Sequence, residues 1–250
     1  FDGNGAVQIL ESISGNTVIM VSMPGVPAQC NATDTLTVTV PDFTLQPLTT
    51  QSMCVGGTVT PLTFTLVGVT GTPTYQWYSN ATNSNTGGTA IAGATAITYT
   101  PSSATAGTTY YYCLVTLTSA SCPDITTNTA EVIVVADPTI TTQPLATQNI
   151  CIGGTGTLSV IYSNGLGNAT YQWYSNTTNS NTGGSIIAGA TSSTYTTPVL
   201  NTAGTRNYYC IVTLSGSGCG PAISAVGQVI VGVDPTISNQ PLTTQSICVS

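Results

Sequence analysis

The sequence predicts an all-β chain that repeats one domain, and three observations support this prediction. The hexapeptide Tyr-Gln-Trp-Tyr-Ser-Asn stands at 75–80 and again at 171–176, and it contains both Trp residues of the chain. Short apolar segments with β-branched and aromatic residues are separated by Gly, Pro, Asn and Ser, which is typical of strands and turns. No segment shows the 3.6-residue period of an amphipathic helix.

The predicted strands of the first copy follow from local pattern. Residues 62–66 alternate in hydrophobicity, 75–78 surround a Trp, 97–100 and 110–117 are rich in Tyr and β-branched residues, and 130–135 alternate again. The loop at 80–88 consists mainly of Asn, Ser, Thr and Gly, and it recurs at 176–184. Near the N-terminus, 17–21 and 34–40 have the same strand character.

Cysteine spacing gives the length of the repeat. Cys54, Cys151 and Cys248 follow one another at intervals of 97 residues. The same interval separates Cys113 from Cys210 and Cys122 from Cys219. The two Trp residues are 96 apart, so a one-residue difference before the Trp is reversed after it. This period is the size of a whole domain, not of a solenoid unit.

The repeat defines four segments. We predict complete domains at 42–137 and 138–234, with Asp-Pro pairs at 137–138 and 234–235 marking the junctions. Residues 1–41 resemble the C-terminal part of a preceding copy, and 235–250 resemble the first strand of a following one. Because the linkers are only a few residues long, we expect neighbouring domains to be stacked end to end.

The composition argues against several classes of partner. Charged residues make up 4% of the chain, whereas an average domain has about 25%, and the net charge is −7. Arg206 is the single basic residue, so the chain lacks the basic patch that nucleic-acid binding requires. No apolar run approaches the ~20 residues of a membrane span, which predicts no membrane insertion.

Catalytic and metal chemistry are not expected. The chain has no His and no Lys, so Ser and Cys nucleophiles lack their usual activators. Asp137 and Asp234 occupy equivalent junctions and Glu131 lies on an alternating strand, which indicates structural or solvated roles. Without a Cys-x-x-Cys pair or a carboxylate cluster, neither zinc nor calcium has a ligand set. We predict no enzyme, no catalytic residue, no cofactor and no metal site. Sugar stacking on the Tyr runs at 110–112 and 208–209, and surface contact by the 80–88 loop, are left as alternatives.

These motifs resemble an immunoglobulin-type sandwich. Gly-Gly precedes an alternating strand, Tyr-Gln-Trp-Tyr follows, and a Tyr stands two residues before Cys113 and Cys210. More narrowly, the chain resembles the immunoglobulin-like repeats of large secreted surface and adhesion proteins of Bacteroidetes. The resemblance implies tandem β-sandwiches with core anchors, which are Trp77, Trp173, Tyr111 and Tyr208.

The cysteines depart from the antibody pattern. Thirteen residues before each Trp, where an antibody-type domain has its first Cys, stand Phe64 and Val160. Cys113 alternates in phase with Tyr111, which indicates an inward-facing free thiol, and Cys210 repeats it. We therefore expect two disulfides, which are Cys54–Cys122 and Cys151–Cys219. The rival pairing is Cys54–Cys113 with Cys151–Cys210. Cys30 and Cys248 remain for a partner in another repeat or outside the chain.

Several surface segments carry glycosylation motifs. The N-glycosylation sequons begin at Asn31, Asn80, Asn168 and Asn176. The Asp-Thr-Leu segment with Thr35 resembles the O-glycosylation motif of Bacteroidetes. All five are candidate modification sites.

The pattern favours a structural function. We expect repeats of an extracellular filament or stalk-like adhesin at the cell surface, giving length and stiffness, and eight Cys favour that oxidising setting. The expected partners are neighbouring copies of the same repeat, and surface glycans or a host or substratum surface are further candidates. The alternative is a spacer or binding module of a large secreted enzyme or surface-layer protein.

Overall fold

The computed structural model describes residues 16–21, 34–69, 71–117 and 123–241, together with 244 and 246. Within these ranges the chain has strands and no helix, and it divides into two compact units, Phe1–Val135 and Ala136–Ser250. The strands of the first unit are β1 (Asn16–Val21), β2 (Asp34–Thr39), β3 (Asp42–Leu45), β4 (Thr50–Cys54), β5 (Leu62–Thr63), β6 (Thr65–Val67), β7 (Thr74–Asn80), β8 (Thr89–Ala90), β9 (Thr98–Tyr99), β10 (Gly107–Thr116), β11 (Ile125–Thr126) and β12 (Ala130–Val135). Those of the second are β13 (Thr139–Thr142), β14 (Thr147–Cys151), β15 (Thr157–Ser159), β16 (Ile161–Ser163), β17 (Ala169–Asn176), β18 (Ser185–Ile186), β19 (Thr194–Thr196), β20 (Gly204–Leu214), β21 (Ala222–Ile223) and β22 (Gly227–Gly232).

Strands β3–β12 form repeat 1 and strands β13–β22 form repeat 2, and both are two-layered sandwiches. One layer of repeat 1 has the strand order β4-β12-β10-β7-β8, and repeat 2 matches it with β14-β22-β20-β17-β18. The second layer consists of the pairs β3–β6 and β5–β9, or β13–β16 and β15–β19. This confirms the predicted all-β fold of tandem sandwich domains.

The last strand of each repeat is interrupted in the middle. Strand β11 pairs with the C-terminal half of β10, and β12 pairs with its N-terminal half. Both lie along the same edge of β10. Buried Thr127 lies in the gap, and its Oγ1 accepts the N–H of Cys113 at 3.0 Å. Ser224 does the same for Cys210 at 2.9 Å. The hydroxyl thus replaces the missing ladder bond and keeps the backbone satisfied.

A parallel pair joins the beginning and the end of each repeat. Strand β4 pairs with β12 from Thr50 opposite Glu131 to Cys54 opposite Val135. Strand β14 pairs with β22 in the same way, from Thr147 opposite Gln228 to Cys151 opposite Gly232. The second strand of each repeat, β4 or β14, therefore runs alongside the strand by which the chain leaves the repeat.

Strands β1 and β2 form a separate antiparallel pair, with Asn16 opposite Thr39 and Val21 opposite Asp34. Their pairing has the same sense as that of β10 with β12. The structure describes their backbone only, and Cys30 lies outside the described residues.

Candidate functional site

The Trp residues occupy the centre of each sandwich. Trp77 and Trp173 have no exposed surface, and each lies opposite a cysteine, Cys113 or Cys210, on the neighbouring strand. The indole N–H of Trp77 donates to the Ala96 carbonyl at 2.9 Å, and that of Trp173 donates equivalently. The ring is therefore buried without leaving its polar atom unpaired.

The predicted Tyr anchors pack through an intermediate ring. Tyr111 lies 5.6 Å from Tyr99, which in turn lies 5.8 Å from Trp77, measured between ring centroids. In repeat 2, Tyr208 contacts Tyr195, and Tyr195 contacts Trp173. Burial raises the pKa of the Tyr111 hydroxyl, which is consistent with its place in the core.

Cys113 and Cys210 are fully buried free thiols. Burial raises the pKa of Cys113 to about 12 and that of Cys210 to about 11. At neutral pH the thiolate, which is the reactive form, is almost absent. These cysteines pack as small apolar residues, and the rival pairings with Cys54 and Cys151 do not form.

The other described cysteines require a correction. Cys54 and Cys219 are disulfide-bonded, whereas Cys151 is an exposed free thiol. The expected Cys151–Cys219 bridge is therefore wrong. The reason is distance. Cys151 lies at the end of repeat 2 where the chain leaves along β22, which we call the exit end. Cys219 lies at the opposite end of the repeat, beyond the C-terminus of β20. Because Cys122 and Cys248 lie outside the described residues, the Cys54–Cys122 pairing stays a prediction.

The Tyr runs build the sheet instead of an open stacking surface. Tyr78 stacks on Tyr112 with centroids 5.1 Å apart and planes 5° from parallel, and Tyr174 stacks on Tyr209 in the same way. Tyr112 is only 4% exposed, because its hydroxyl accepts the N–H of Gly88 from the covering loop. Tyr112 and Tyr209 are therefore buried in the structure and are not available to stack on a sugar ring.

The Asn-rich loop is held by its own side chains. The Asn80 amide nitrogen donates to the carbonyls of Ser84 and Thr86, both at 3.1 Å, and its oxygen accepts the N–H of Thr82. Asn85 fastens the loop to Thr126 of β11. Repeat 2 reproduces the Asn80 pattern at Asn176.

This geometry bears on the glycosylation candidates. An N-linked glycan replaces one proton of the amide nitrogen, and both protons of Asn80 and of Asn176 are already donated within the loop. Folding therefore competes with glycosylation at these two sites. Asn168 is exposed in the turn before β17. Asn31 and the side chain of Thr35 lie outside what the structure describes.

The carboxylates are dispersed and bonded locally. Glu131 accepts hydrogen bonds from the hydroxyls of Tyr110 and Thr50, and Asp137 accepts the N–H of Gly220. Asp234 is exposed. No group of three metal-binding side chains comes together in the part of the chain that the structure describes. Nor do these residues include a helix long and apolar enough to cross a membrane.

Two glutamines brace the beginning of each repeat, and this role was not predicted from the sequence. The Gln46 side chain accepts the N–H of Asn128, and Gln51 exchanges two hydrogen bonds with the backbone of Thr60. Gln143 and Gln148 make the same bonds in repeat 2. The signal was present, because both glutamines belong to the phrase that recurs at 46–54, 143–151 and 240–248.

The chain is similar to two solved multidomain structures. A three-domain immunoglobulin fragment of titin, I67–I69 in an E-to-A mutated variant, matches with a TM-score of 0.50 and 14% identity over 81% of this chain and 69% of that one. The three N-terminal domains of the Hoc capsid protein of bacteriophage RB49 match with a TM-score of 0.49 and 14% identity over 89% of each chain. At 14% identity the titin match shows a shared fold and nothing further. No curated protein sequence matches the chain.

One protein-family model matches twice, at residues 46–136 and 141–233, and its description is "Domain of unknown function (DUF8696)". The two matches together span more than half of the chain and fall on the two sandwiches. The chain therefore belongs to the DUF8696 family, as a tandem of two immunoglobulin-like domains.

Proposed function

We propose that these domains are load-bearing structural repeats of an extracellular filament or stalk-like surface adhesin. One observation carries the proposal: in both repeats the second strand, β4 or β14, pairs in parallel with the C-terminal strand, β12 or β22, over five residue pairs. Tension applied to the two ends of a repeat pulls these strands in opposite directions along their length. Their hydrogen bonds are then loaded in shear and resist together, instead of opening one by one.

The braces described above strengthen the same strand pair. Gln51 ties β4 to the segment that follows it, and the N–H of Val55 extends the ladder by donating to the Val135 carbonyl at 3.0 Å. The N–H of Glu131 donates to the Thr49 carbonyl at the opposite end. Backbone bonds therefore hold the pair beyond both ends of β4.

The surface suits an extracellular environment. The chain has a single Lys or Arg, at Arg206, so trypsin-like proteases have one bond to cleave. Cys54 and Cys219 are disulfide-bonded, and disulfides persist in oxidising compartments. These properties support a secreted location, with other copies of the same repeat as neighbours.

Single-molecule force spectroscopy on the full chain, under reducing conditions, tests the proposal. We expect one resolved force peak for each repeat and a contour-length gain of about 30 nm, given ~3.4–3.6 Å per extended residue and about 90 residues in a repeat. Smooth extension without resolved peaks would contradict a load-bearing role.

A matched pair of variants links the force to the parallel strands. Val55→Pro removes the N–H that bonds to Val135, so the force peak of repeat 1 should fall while that of repeat 2 is unchanged. Thr58→Pro is the control, because Thr58 is exposed in the same connection and its N–H makes no backbone bond among the described residues. Equal forces in both variants would show that the strand pair does not set the resistance.

A further inference from the structure

The sequence of each repeat has one cysteine before its Gly-Gly pair and one shortly before its last strands. We call these the early cysteines, Cys54 and Cys151, and the late cysteines, Cys122 and Cys219. In repeat 2 the early cysteine lies opposite Gly232, at the level where β20 begins with Gly204. The late cysteine follows the other end of β20.

The two cysteines of repeat 2 are too far apart to bond. Ala222, three residues after Cys219, pairs with Val212, which is eight residues along β20 from Gly204. At ~3.3 Å per residue, the early and late cysteines are separated by roughly 25 Å or more along the strands. A disulfide requires Cα atoms within about 7 Å. Cys151 therefore cannot bond to Cys219 of its own repeat.

The two early cysteines differ in their surroundings. Cys54 has no exposed surface and is disulfide-bonded, whereas the equivalent Cys151 is exposed and free. Apolar side chains close to Cys151 in the sequence and the strand register are exposed as well: Ile152 by 38% and Val233 by 73%. The same structural position is thus covered and cross-linked in one repeat but bare in the other.

We propose that Cys151 is a covalent docking point for a further repeat of this family, whose late cysteine is its disulfide partner. Cys219 shows that a late cysteine at this position is competent to form a disulfide. The bond is directional, because the early cysteine lies at one end of a repeat and the late cysteine at the other. Such head-to-tail bonding leaves one cysteine at each end available for the next repeat, so it can continue from repeat to repeat. This inference goes beyond the proposed load-bearing role and holds even if that role is wrong.

The chemistry is an ordinary two-electron oxidation. The two thiols lose two protons and two electrons and gain one S–S bond. A small disulfide, such as oxidised glutathione, accepts the electrons and protons and becomes two thiols. The buried thiols of Cys113 and Cys210 do not compete, because their raised pKa values leave too little thiolate.

Disulfide mapping of the native protein tests the proposal. The protein is alkylated without reductant and then digested with pepsin, because acidic pH suppresses disulfide exchange and trypsin has a single site. We expect the Cys151 peptide to be linked to a peptide with a late cysteine from another repeat. Alkylated Cys151, or Cys151 linked to another early cysteine or to Cys219 of its own repeat, would overturn the proposal.

Recombinant chain with oxidised glutathione identifies the source of the partner. Disulfide-linked dimers that disappear with reductant and with Cys151→Ser support a second copy as partner. The matched control places the thiol at the other end of β14, with Thr147→Cys in the Cys151→Ser background, because Thr147 is also exposed. We expect at least a tenfold lower dimer yield from this control. Equal yields would overturn the assignment of the docking point to the exit end of the repeat.

Discussion

The two repeats share one framework but fill it with different side chains. In repeat 1, Phe64 contacts the rings of Phe43, Tyr75 and Trp77, with centroids 5.6 to 5.9 Å apart. In repeat 2 the equivalent residue is Val160, which is just as deeply buried. The equivalent of Leu66 is Tyr162, whose ring contacts Tyr171 instead. The aromatic ring that repeat 1 has at Phe64 is thus found two positions later in repeat 2, at Tyr162, and the fold is the same.

A second difference explains the uneven Trp spacing. Repeat 2 is one residue shorter between the Gly-Gly turn and β15, and one residue longer after β19. These two segments face each other: Gly156 N–H donates to Thr197 Oγ1 at 2.9 Å, and Thr197 N–H donates to the Gly156 carbonyl at 2.8 Å. The inserted residue occupies space beside the shortened connection. The comparison teaches that deletions and insertions compensate between segments in contact.

The largest expected effect concerns what the repeats have in common. Trp77→Ala and Trp173→Ala should each destabilise their own repeat by about 3–5 kcal/mol, because the fully buried indole leaves a cavity and an unpaired carbonyl. Denaturant unfolding of each variant measures the cost. A cost below about 1 kcal/mol would show that the Trp is not the shared anchor.

The next effect breaks the comparison at its most divergent core position. Phe64→Val should cost about 2–3 kcal/mol, because Leu66 cannot replace the lost ring contacts. Val160→Phe should cost about 1–3 kcal/mol by overpacking beside Tyr162. The double variant Phe64→Val/Leu66→Tyr introduces the Val and Tyr that repeat 2 has at the equivalent positions. It should recover part of the lost free energy of unfolding, as measured by denaturant unfolding. Additive costs in the double variant would show that the two positions do not compensate.

The compensating insertion has a side chain of its own to test. Thr197→Val keeps the shape but leaves the Gly156 N–H without its acceptor, at a cost of about 1–3 kcal/mol. Thr196→Val is the control, because Thr196 is exposed and its hydroxyl bonds only to exposed Thr157. Thermal unfolding should separate the variants, and equal melting temperatures would contradict the role of Thr197.

Alkaline pH should separate the repeats further. Because the pKa of each buried thiol is raised above its ordinary 9.0, the folded state binds more protons than the unfolded state, and stability falls as pH rises above 9. The loss should extend to about pH 12 for repeat 1 and about pH 11 for repeat 2. Unfolding from pH 8 to 11 measures the slope, which Cys113→Ala and Cys210→Ala should reduce. An unchanged slope in both variants would assign it to the buried tyrosines.

The smallest expected effect concerns one polar pair between neighbouring strands, which is half-buried in repeat 1 and includes the buried Asn207 in repeat 2. Tyr110 donates to Glu131 in repeat 1, and the equivalent pair in repeat 2 is Asn207 with Gln228, which also share a hydrogen bond. Transplanting the second pair, as Tyr110→Asn/Glu131→Gln, should change the unfolding free energy by no more than about 0.5 kcal/mol. A larger loss in denaturant unfolding would show that the two pairs are not equivalent.

The all-β class and the repeated domain could be predicted from the amino-acid sequence alone. Both rest on local pattern: the alternation of side chains along a strand has a fixed period, and the two copies of the Trp strand report the same environment twice. The inward direction of Cys113 follows from the same alternation, because residues two apart share a face of the sheet. The recurrence of the glutamine-containing segment at 46–54, 143–151 and 240–248 was visible too, although the bracing role of its glutamines was not.

Which distant positions come together, in contrast, depends on how the strands pair in the folded domain. The sequence places Cys151 and Cys219 in one repeat, but the parallel pairing of β14 with β22 sends them to opposite ends. That pairing joins segments about 80 residues apart in sequence, and local propensity carries no information about it. The contact between Gly156 and Thr197 is equally non-local. The cysteine connectivity and the compensating length changes are therefore properties of the folded sandwich, because they depend on which strands lie side by side and in which direction.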